Sequence, residues 1–225
     1  MIVFLDVDGT YAARGVVPPG HVAAVRAARA RGHRVLLCTG RPVAMLPPSI
    51  VGAGFDGYVA SAGAYVELAG RVVRDERFPA ELAARAVEVL DEHGAAYLLE
   101  SPDELLAPPD GRDRILQAFT DRHGRHGRVD ALPDFLSGLR ARPAGHVPRF
   151  SKITVLGSSV EVHELGALIG PQVATIPSSV PLLSSAGRST WRTCTRRSVR
   201  RSPRTSSGWT ARAPSPSGTG STTSR

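Results

Sequence analysis

The sequence predicts an α/β fold with a parallel sheet, because two apolar runs enclose a segment with helical spacing. The runs Ile2–Leu5 and Arg34–Cys38 have the composition of buried strands. Between them, the Ala/Arg-rich segment His21–Arg31 carries apolar residues at helical intervals and is followed by Gly32, where a helix C-cap belongs. The order strand, helix, strand implies a parallel βαβ unit, whose functional residues lie at the carboxyl ends of the strands.

Two carboxylates follow the first strand directly, in the run Asp6-Val7-Asp8-Gly9-Thr10. Side chains alternate along a strand, so Asp6 and Asp8 share a face, and Gly9 lets the chain bend back over them. The Asp6 carboxylate suits attack on a phosphoryl group, and Asp8 suits proton transfer to the leaving oxygen. Clustered carboxylates also favour Mg²⁺. The alternative is a strand end with two solvated aspartates, since Asp-Gly is a common turn.

A second polar turn, Thr39-Gly40-Arg41-Pro42, follows the second strand. The first pentapeptide resembles motif one of the haloacid dehalogenase superfamily, and this turn resembles motif two. The Thr-Gly-Arg-Pro form is typical of the Cof-type, or IIB, branch of sugar and cofactor phosphatases. Taken alone, Thr39 would more often be an ordinary turn residue.

This resemblance implies a role for each residue of the two motifs. Asp6 is the expected nucleophile and Asp8 the acid/base, and together they are the expected ligands of Mg²⁺. The hydroxyl of Thr39 is expected to hold a phosphate oxygen. The remaining phosphate-binding residues implied by the match are Gly9, Thr10, Gly40 and Arg41.

A third stretch fits the same branch. Phe55–Ser61 has the pattern of a short strand, and the following Ala62–Val66 resembles the Asn-Gly-Ala-x-Val/Ile turn of Cof-type proteins. Ala62 stands where Asn is usual, so the hydrogen bond of that amide is missing here. Residues 1–74 therefore match the first half of a haloacid dehalogenase core with a Rossmann-like parallel sheet.

Residues 75–183 are expected to form a separate α/β domain that resembles the cap of these phosphatases. The alternation is predicted as helix 79–93, strand 95–99, loop 101–113, helix 114–122, strand 150–156, helix 160–168 and strand 172–176. Such caps close over the core site and choose the substrate. Lys152, the only lysine of the chain, is interpreted as a residue of a cap strand and not as the family's motif-three base.

Other polar clusters give weaker signals. His123 and His126, three apart in a Gly/Arg loop, make a poor metal-ligand pattern, and a solvated loop is the simpler interpretation. A set of arginines suits either a basic rim for a phosphorylated substrate or ordinary surface charge: Arg112, Arg114, Arg122, Arg125 and Arg128. Cys38 is expected to be a small core residue without a redox role.

The net charge of +8 comes from the C-terminal segment. Positions 187–225 hold nine arginines and no acidic residue, which leaves 19 basic against 20 acidic residues before them. Residues 184–225 show no apolar periodicity, so we expect a basic tail that is disordered or out of frame. It lacks patterned aromatics, which argues against a specific nucleic-acid module. No apolar run long enough to span a membrane and no signal peptide are found, which indicates the cytoplasm.

The tail lacks two features that the family resemblance requires after the cap, a lysine and a Gly-Asp-x-x-Asn-Asp motif. A shifted reading frame supplies both. With TCN codons for Ser221 and Ser224, triplets that start on the third base across 217–224 permit Gly-Asp-Gly-apolar-Asn-Asp-apolar. In the same frame, 189–197 permits Tyr-Leu-Glu-Asp-Val-His-Lys-Ala. We therefore hypothesise a frameshift near 185–189.

The expected activity is that of a Mg²⁺-dependent phosphatase acting on a small phosphorylated metabolite through an aspartyl-phosphate. The alternatives are a catalytically impaired, frameshifted chain, or a binding protein whose basic tail contacts nucleic acid nonspecifically. The oligomeric state does not follow from the sequence.

Overall fold

The structure, a computed structural model, describes residues 1–13, 15–123, 136–177 and 192–196, apart from the side chains of 118–123, 177 and 192–196. A first sheet has the order β1-β2-β3-β4-β5. Its strands are β1 (Ile2–Asp6), β2 (Arg34–Cys38), β3 (Gly57–Ala60), β4 (Tyr65–Leu68) and β5 (Arg71–Asp75). Strands β1, β2 and β3 are parallel, and β4 and β5 add an antiparallel hairpin. The predicted parallel sheet is confirmed.

Helix α1 (Pro19–Ala30) joins β1 to β2 and forms the predicted βαβ unit, and a short α2 (Pro48–Val51) precedes β3. One face of the sheet packs against these helices through a cluster that includes Val25, Val35, Leu37 and Ile50. The opposite face of β1 is open in the described part of the chain, where Phe4 is 61% exposed. Parallel strands are normally covered on both faces, so β1 has the surroundings of an unfinished edge.

A second sheet has the order β10-β11-β9-β6-β7-β8. Its strands are β6 (Ala96–Glu100), β7 (Leu105–Ala107), β8 (Leu139–Ala141), β9 (Lys152–Gly157), β10 (Val173–Pro177) and β11 (Arg192–Arg196). Its helices are α3 (Ala80–Glu92), α4 (Gly111–His123) and α5 (Val162–Ile169). All neighbouring strands are antiparallel except β7 and β8. Along the chain, β5 is the last strand of the first sheet, and α3 is the first element that belongs to the second. The division into domains 1–74 and 75–183 stays a prediction.

Apolar clusters cover both faces of the second sheet. On one face, Tyr97, Leu99, Ile153 and Val155 pack with residues of α3 and α5. On the other face, Leu98 and Leu156 pack with Ile115 of α4 and with Met45. Met45 belongs to a short 3-10 turn, Val43–Met45, that follows β2. The cluster on this second face therefore joins the two sheets.

The structure corrects two expectations for this region. The predicted loop 101–113 contains the strand β7, because Leu105–Ala107 forms hydrogen bonds with β6 and β8. The helix α4 begins at Gly111, within the same predicted loop. The basic tail, expected to be disordered or out of frame, contains the strand β11 between β9 and β10. Main-chain pairing with a strand on each side satisfies the backbone of β11 without an apolar pattern of its own.

Several predictions fall on positions outside the described residues. These are His126, Arg125 and Arg128 of the predicted loop, and the segment 217–224 of the shifted reading frame. Among the described helices, none combines the length and apolar character that a membrane span requires.

Candidate active site

The loop after β1 is a tight turn that presents two carboxylates to solvent. Asp6 and Asp8 are exposed, while Val7 between them is completely buried. The N–H of Gly9 donates to the carbonyl of Ala12 at 2.9 Å, and the N–H of Ala12 donates to the carbonyl of Val7 at 2.8 Å. Gly9 has φ +83°, a backbone conformation that side chains with a Cβ rarely adopt. Exposure alternates over residues 6–8, although β1 itself ends at Asp6, and a shared face of Asp6 and Asp8 stays a prediction.

Tyr11 holds this loop in place, and no sequence pattern predicted this role. Its N–H donates to the carbonyl of Asp6 at 3.1 Å, and its ring packs edge-on against Phe55 with ring centroids 5.3 Å apart. Burial raises the pKa of the Tyr11 phenol, and the charge of Arg26 acts in the opposite direction. The ring of Tyr11 is thus buried beneath the loop, and its hydroxyl has no hydrogen-bonding partner among the described residues.

Arg41 joins the two motifs through a bidentate ion pair with Asp8. Its Nε lies 2.9 Å from one carboxylate oxygen of Asp8, and its terminal nitrogen lies 2.5 Å from the other. The side chain of Arg41 is 20% exposed and that of Asp8 is 40% exposed. Two parallel N–H···O bonds fix the plane of the Asp8 carboxylate. The phosphate-binding role predicted for Arg41 stays a prediction.

Thr39 lies next to Asp6, at the end of the neighbouring strand. The last residue pair of β1 and β2 is Asp6 with Cys38, so Thr39 follows directly at the same sheet edge. Thr39 is 4% exposed, its N–H donates to the carbonyl of Val59 at 2.8 Å, and its Oγ1 accepts the N–H of Arg41 at 3.1 Å. Accepting this bond leaves the hydroxyl hydrogen of Thr39 available for a second hydrogen bond, and the phosphate-binding role predicted for Thr39 stays a prediction.

The end of β3 supplies further contacts to the same loop. The N–H of Ser61 donates to the carbonyl of Arg41 at 2.9 Å, and the N–H of Ala62 donates to that of Thr39 at 3.3 Å. Both donors have left-handed backbone conformations, with φ 51° at Ser61 and 55° at Ala62. The Ser61 hydroxyl is buried and has no hydrogen-bonding partner within the described parts of the chain. Ser61 was predicted only as the last residue of a strand.

Lys152 reaches the same loop from the second sheet. Its Nζ donates to the carbonyl of Gly40 at 2.7 Å and lies 2.6 Å from Oε2 of Glu100. The sequence interpretation of Lys152 as a strand residue is confirmed, since β9 begins there. Its contact with Gly40 was missed, because the two residues are 112 positions apart and the sequence gives no sign of their proximity.

The end of β1 offers oxygen ligands of the type that binds a hard divalent cation, but only a few of them. Asp6 and Asp8 offer carboxylate oxygens of the kind that Mg²⁺ prefers. Across residues 1–123, 136–177 and 192–196, without position 14, no group of three or more His, Cys, Asp or Glu side chains is arranged to hold a metal ion. The Asp6 carboxylate and the main-chain carbonyl of Asp8 therefore fit the ion and account for only part of a coordination shell, since the Asp8 carboxylate pairs with Arg41.

The structure describes the side chains of three other candidate residues. Arg114 of α4, a member of the proposed basic rim, pairs at 2.7 Å with Asp110, which precedes the helix. Cys38 is a free thiol of intermediate burial. The role of the remaining rim residue with a described side chain, Arg112, stays a prediction.

The chain belongs to the haloacid dehalogenase-like hydrolases, whose family model matches residues 3–132. That range contains both carboxylates, the Thr39 turn and the first part of the second sheet. The fold and the family thus agree with the interpretation of the two motifs. A comparison with curated proteins gives no significant match.

Solved structures of this superfamily share the fold at low sequence identity. One is described as a sugar phosphatase of subclass IIB (19% identity, 88% of this chain and 70% of that chain, TM-score 0.59). Another is a haloacid dehalogenase-like hydrolase from B. subtilis (17%, 87% and 73%, 0.60). A third is a superfamily phosphatase from Bacteroides thetaiotaomicron (16%, 87% and 66%, 0.56). The present chain thus spans about two thirds of the length of the third.

Proposed function

We propose that the protein is a Mg²⁺-dependent phosphatase of the Cof type that hydrolyses a small phosphorylated metabolite, such as a sugar phosphate. The observation that supports this most directly is the pair of exposed carboxylates after β1, beside Thr39 and Arg41 at the end of β2. A sugar phosphatase among the proteins of similar fold supports the substrate class.

The proposed reaction has two displacements at phosphorus. An oxygen of Asp6 attacks the phosphorus, the bond to the ester oxygen breaks, and Asp8 donates a proton to that leaving oxygen. Water then attacks the aspartyl-phosphate, Asp8 takes the proton from the water, and Asp6 is released with inorganic phosphate. Asp8 has to be protonated when it donates to the leaving oxygen. In its ionised form, which takes the proton from water, the Arg41 pair holds the carboxylate in one orientation, and the Thr39 hydroxyl donates to a phosphate oxygen.

Asp6 and Asp8 are the residues that would hold Mg²⁺. When bound, the ion would offset the negative charge that builds up between a carboxylate nucleophile and a phosphoryl group. The chain's own contribution is the orientation of the carboxylates by the tight turn at Gly9 and by Arg41.

A substitution at the nucleophile tests this proposal. Asp6→Asn keeps the shape of the side chain and replaces a carboxylate by a much weaker nucleophile, so release of phosphate from 4-nitrophenyl phosphate should fall to background. Asp8→Asn should reduce the rate by about 10²–10⁴-fold, the usual contribution of general acid–base catalysis. Removal of Mg²⁺ with a chelator should inhibit as well.

Asp110→Asn provides the matched control, since Asp110 is an exposed carboxylate on the second-sheet side that pairs with Arg114. It should leave the rate unchanged. Acid quenching of the reaction with labelled substrate should trap phosphate on the parent chain and not on Asp6→Asn. Full activity in Asp6→Asn would exclude the covalent mechanism.

A second candidate is a protein of the same fold with impaired catalysis. It is favoured by the small donor set at the end of β1 and by the use of the single lysine at Gly40 and Glu100. Very slow turnover that Asp6→Asn does not change would support this candidate.

A further inference from the structure

The second sheet presents a polar patch to the motif-two loop. Residues that alternate along β6 and β9 lie on the face that also packs with Met45: Leu98 and Leu156 are apolar, while Glu100, Lys152 and Thr154 are polar. Glu100 and Lys152 are direct partners in the β6–β9 pairing. The face is therefore apolar at one end and polar where it meets Gly40.

The charge of Lys152 is balanced within this patch. Lys152 is 7% exposed and Glu100 is 1% exposed, and Nζ lies 2.6 Å from Oε2 of Glu100. The other carboxylate oxygen of Glu100 accepts the hydroxyl of Thr154. A buried ammonium group already paired with a carboxylate is less suited to bind phosphate than to donate a hydrogen bond to the main chain.

The hydrogen bond from Lys152 is accepted by the peptide unit that joins Gly40 to Arg41. The carbonyl of Gly40 and the N–H of Arg41 belong to one planar group, so fixing the carbonyl also fixes the N–H. That N–H donates to Oγ1 of Thr39 at 3.1 Å. The carbonyls of Thr39 and Arg41 are held by β3-end donors, and that of Gly40 is held by Lys152.

We propose that Lys152, charge-balanced by Glu100, is a positioning residue that orients the Gly40–Arg41 peptide and, through it, the phosphate-binding hydroxyl of Thr39. The burial of Met45 on the same face provides a second attachment of this loop to the second sheet. The inference rests on the proposed function, because it takes Thr39 to contact phosphate.

The test uses the full chain and hydrogen–deuterium exchange of the peptide that covers 38–46. A double variant, Lys152→Met with Glu100→Gln, removes the donor without leaving a buried charge unpaired, and Gln still accepts the Thr154 hydroxyl. The amides of this peptide should exchange about tenfold faster, the change expected when one hydrogen bond to a charged group is lost. For 4-nitrophenyl phosphate, KM should rise while kcat changes little, because phosphate binding is weakened in ground and transition states alike.

The matched control is Arg140→Met with Glu104→Gln. It removes another cation–carboxylate pair at 3.0 Å, between the exposed Arg140 of the second sheet and the partly exposed Glu104. This control should leave the exchange of 38–46 and the KM unchanged. Unchanged exchange or an unchanged KM in the Lys152 double variant, or equal acceleration in both variants, would overturn the inference. Absence of turnover in the parent chain would instead count against the proposed function, and exchange would still decide the positioning role.

Discussion

At the scale of single residues, Ala62 is held in a backbone conformation that does not suit alanine. It has φ 55° and ψ 35°, and its side chain is exposed. The left-handed region costs a residue with a Cβ about 1–2 kcal/mol, whereas Asn and Gly adopt it readily. The family resemblance leads us to expect Asn at this position. The left-handed backbone conformation favours Asn too, independently of the hydrogen bond that its amide would make.

Ala62→Asn and Ala62→Gly should therefore both stabilise the protein, by about 1 kcal/mol. Chemical denaturation of the three chains measures this difference. Ala64→Gly is the matched control, because Ala64 has φ −71° and ψ −25°, where glycine gives no relief. That control should destabilise the protein slightly. Equal or lower stability of both Ala62 variants would contradict the argument.

The residues of the site differ in how far the sequence reveals them. Asp6, Asp8 and Thr39 each follow an apolar strand directly, so local order alone predicts that they lie at one sheet edge. The contact of Lys152 with Gly40 depends on how two sheets pack, and no local pattern encodes it. The apolar pattern of 150–156 predicted that Lys152 lies on a strand but not what its side chain contacts.

At the scale of elements, Asp56 connects α1 to the parallel sheet. Its carboxylate accepts the N–H of Val35 at 2.8 Å and both donors of Arg29 at 3.0 Å. The hydrogen bond from Arg29 and that from Val35 hold the pKa of Asp56 below its usual range, although partial burial acts in the opposite direction. One carboxylate therefore joins β2 to the helix α1.

Asp56→Asn should destabilise the protein by about 1 kcal/mol at neutral pH, since a charged acceptor is replaced by a neutral one. The pKa of Asp56 is lowered in the folded state, so its stabilising effect is present above the unfolded-state value of about 3.9 and is lost as the pH falls through the folded-state pKa. The difference between parent and variant should therefore shrink between neutral and strongly acidic pH. Unfolding free energies measured across this range test it, and a constant difference would contradict it.

Some helices and strands have an apolar pattern of their own, whereas others form only because neighbouring strands pair with them. The apolar periodicity of α3 and the apolar runs of β1 and β2 were sufficient to predict them. β7 lies in a segment rich in Pro and Asp, and β11 lies in an arginine-rich one. Each is a strand because neighbouring strands provide hydrogen bonds, which a search for amphipathic patterns does not detect.

At the scale of the whole molecule, the first sheet is covered unevenly. Its β1 pairs with β2 on one side, and in the described structure no strand lies on the other side. On the open face, Ile2 is 56% exposed and Phe4 is 61% exposed. Exposed apolar surface beside unpaired strand edges favours association with other chains. In the shifted reading frame proposed for the tail, 213–217 would read as alternating small and apolar residues, a strand that leads into the acidic motif at 217–224.

The last prediction compares the 225-residue chain with a version translated in the alternative frame from the region of 185–189. The alternative chain should be more soluble, because its added strand would cover the β1 edge. It should also bind Mg²⁺ more tightly and hydrolyse 4-nitrophenyl phosphate orders of magnitude faster. Additional acidic ligands and a second lysine would stabilise the charge that develops during phosphoryl transfer.

Soluble yield, Mg²⁺ titration by calorimetry and initial rates, measured side by side, test this comparison. Asp6→Asn in both backgrounds is the control, because it should remove the rate difference and leave the difference in solubility. The two differences have separate causes. Solubility depends on whether a strand covers β1 in the folded chain, whereas the rate depends on the carboxylate that attacks phosphorus. Equal solubility and equal turnover of the two chains would mean that residues 1–225 as written already contain what the site requires.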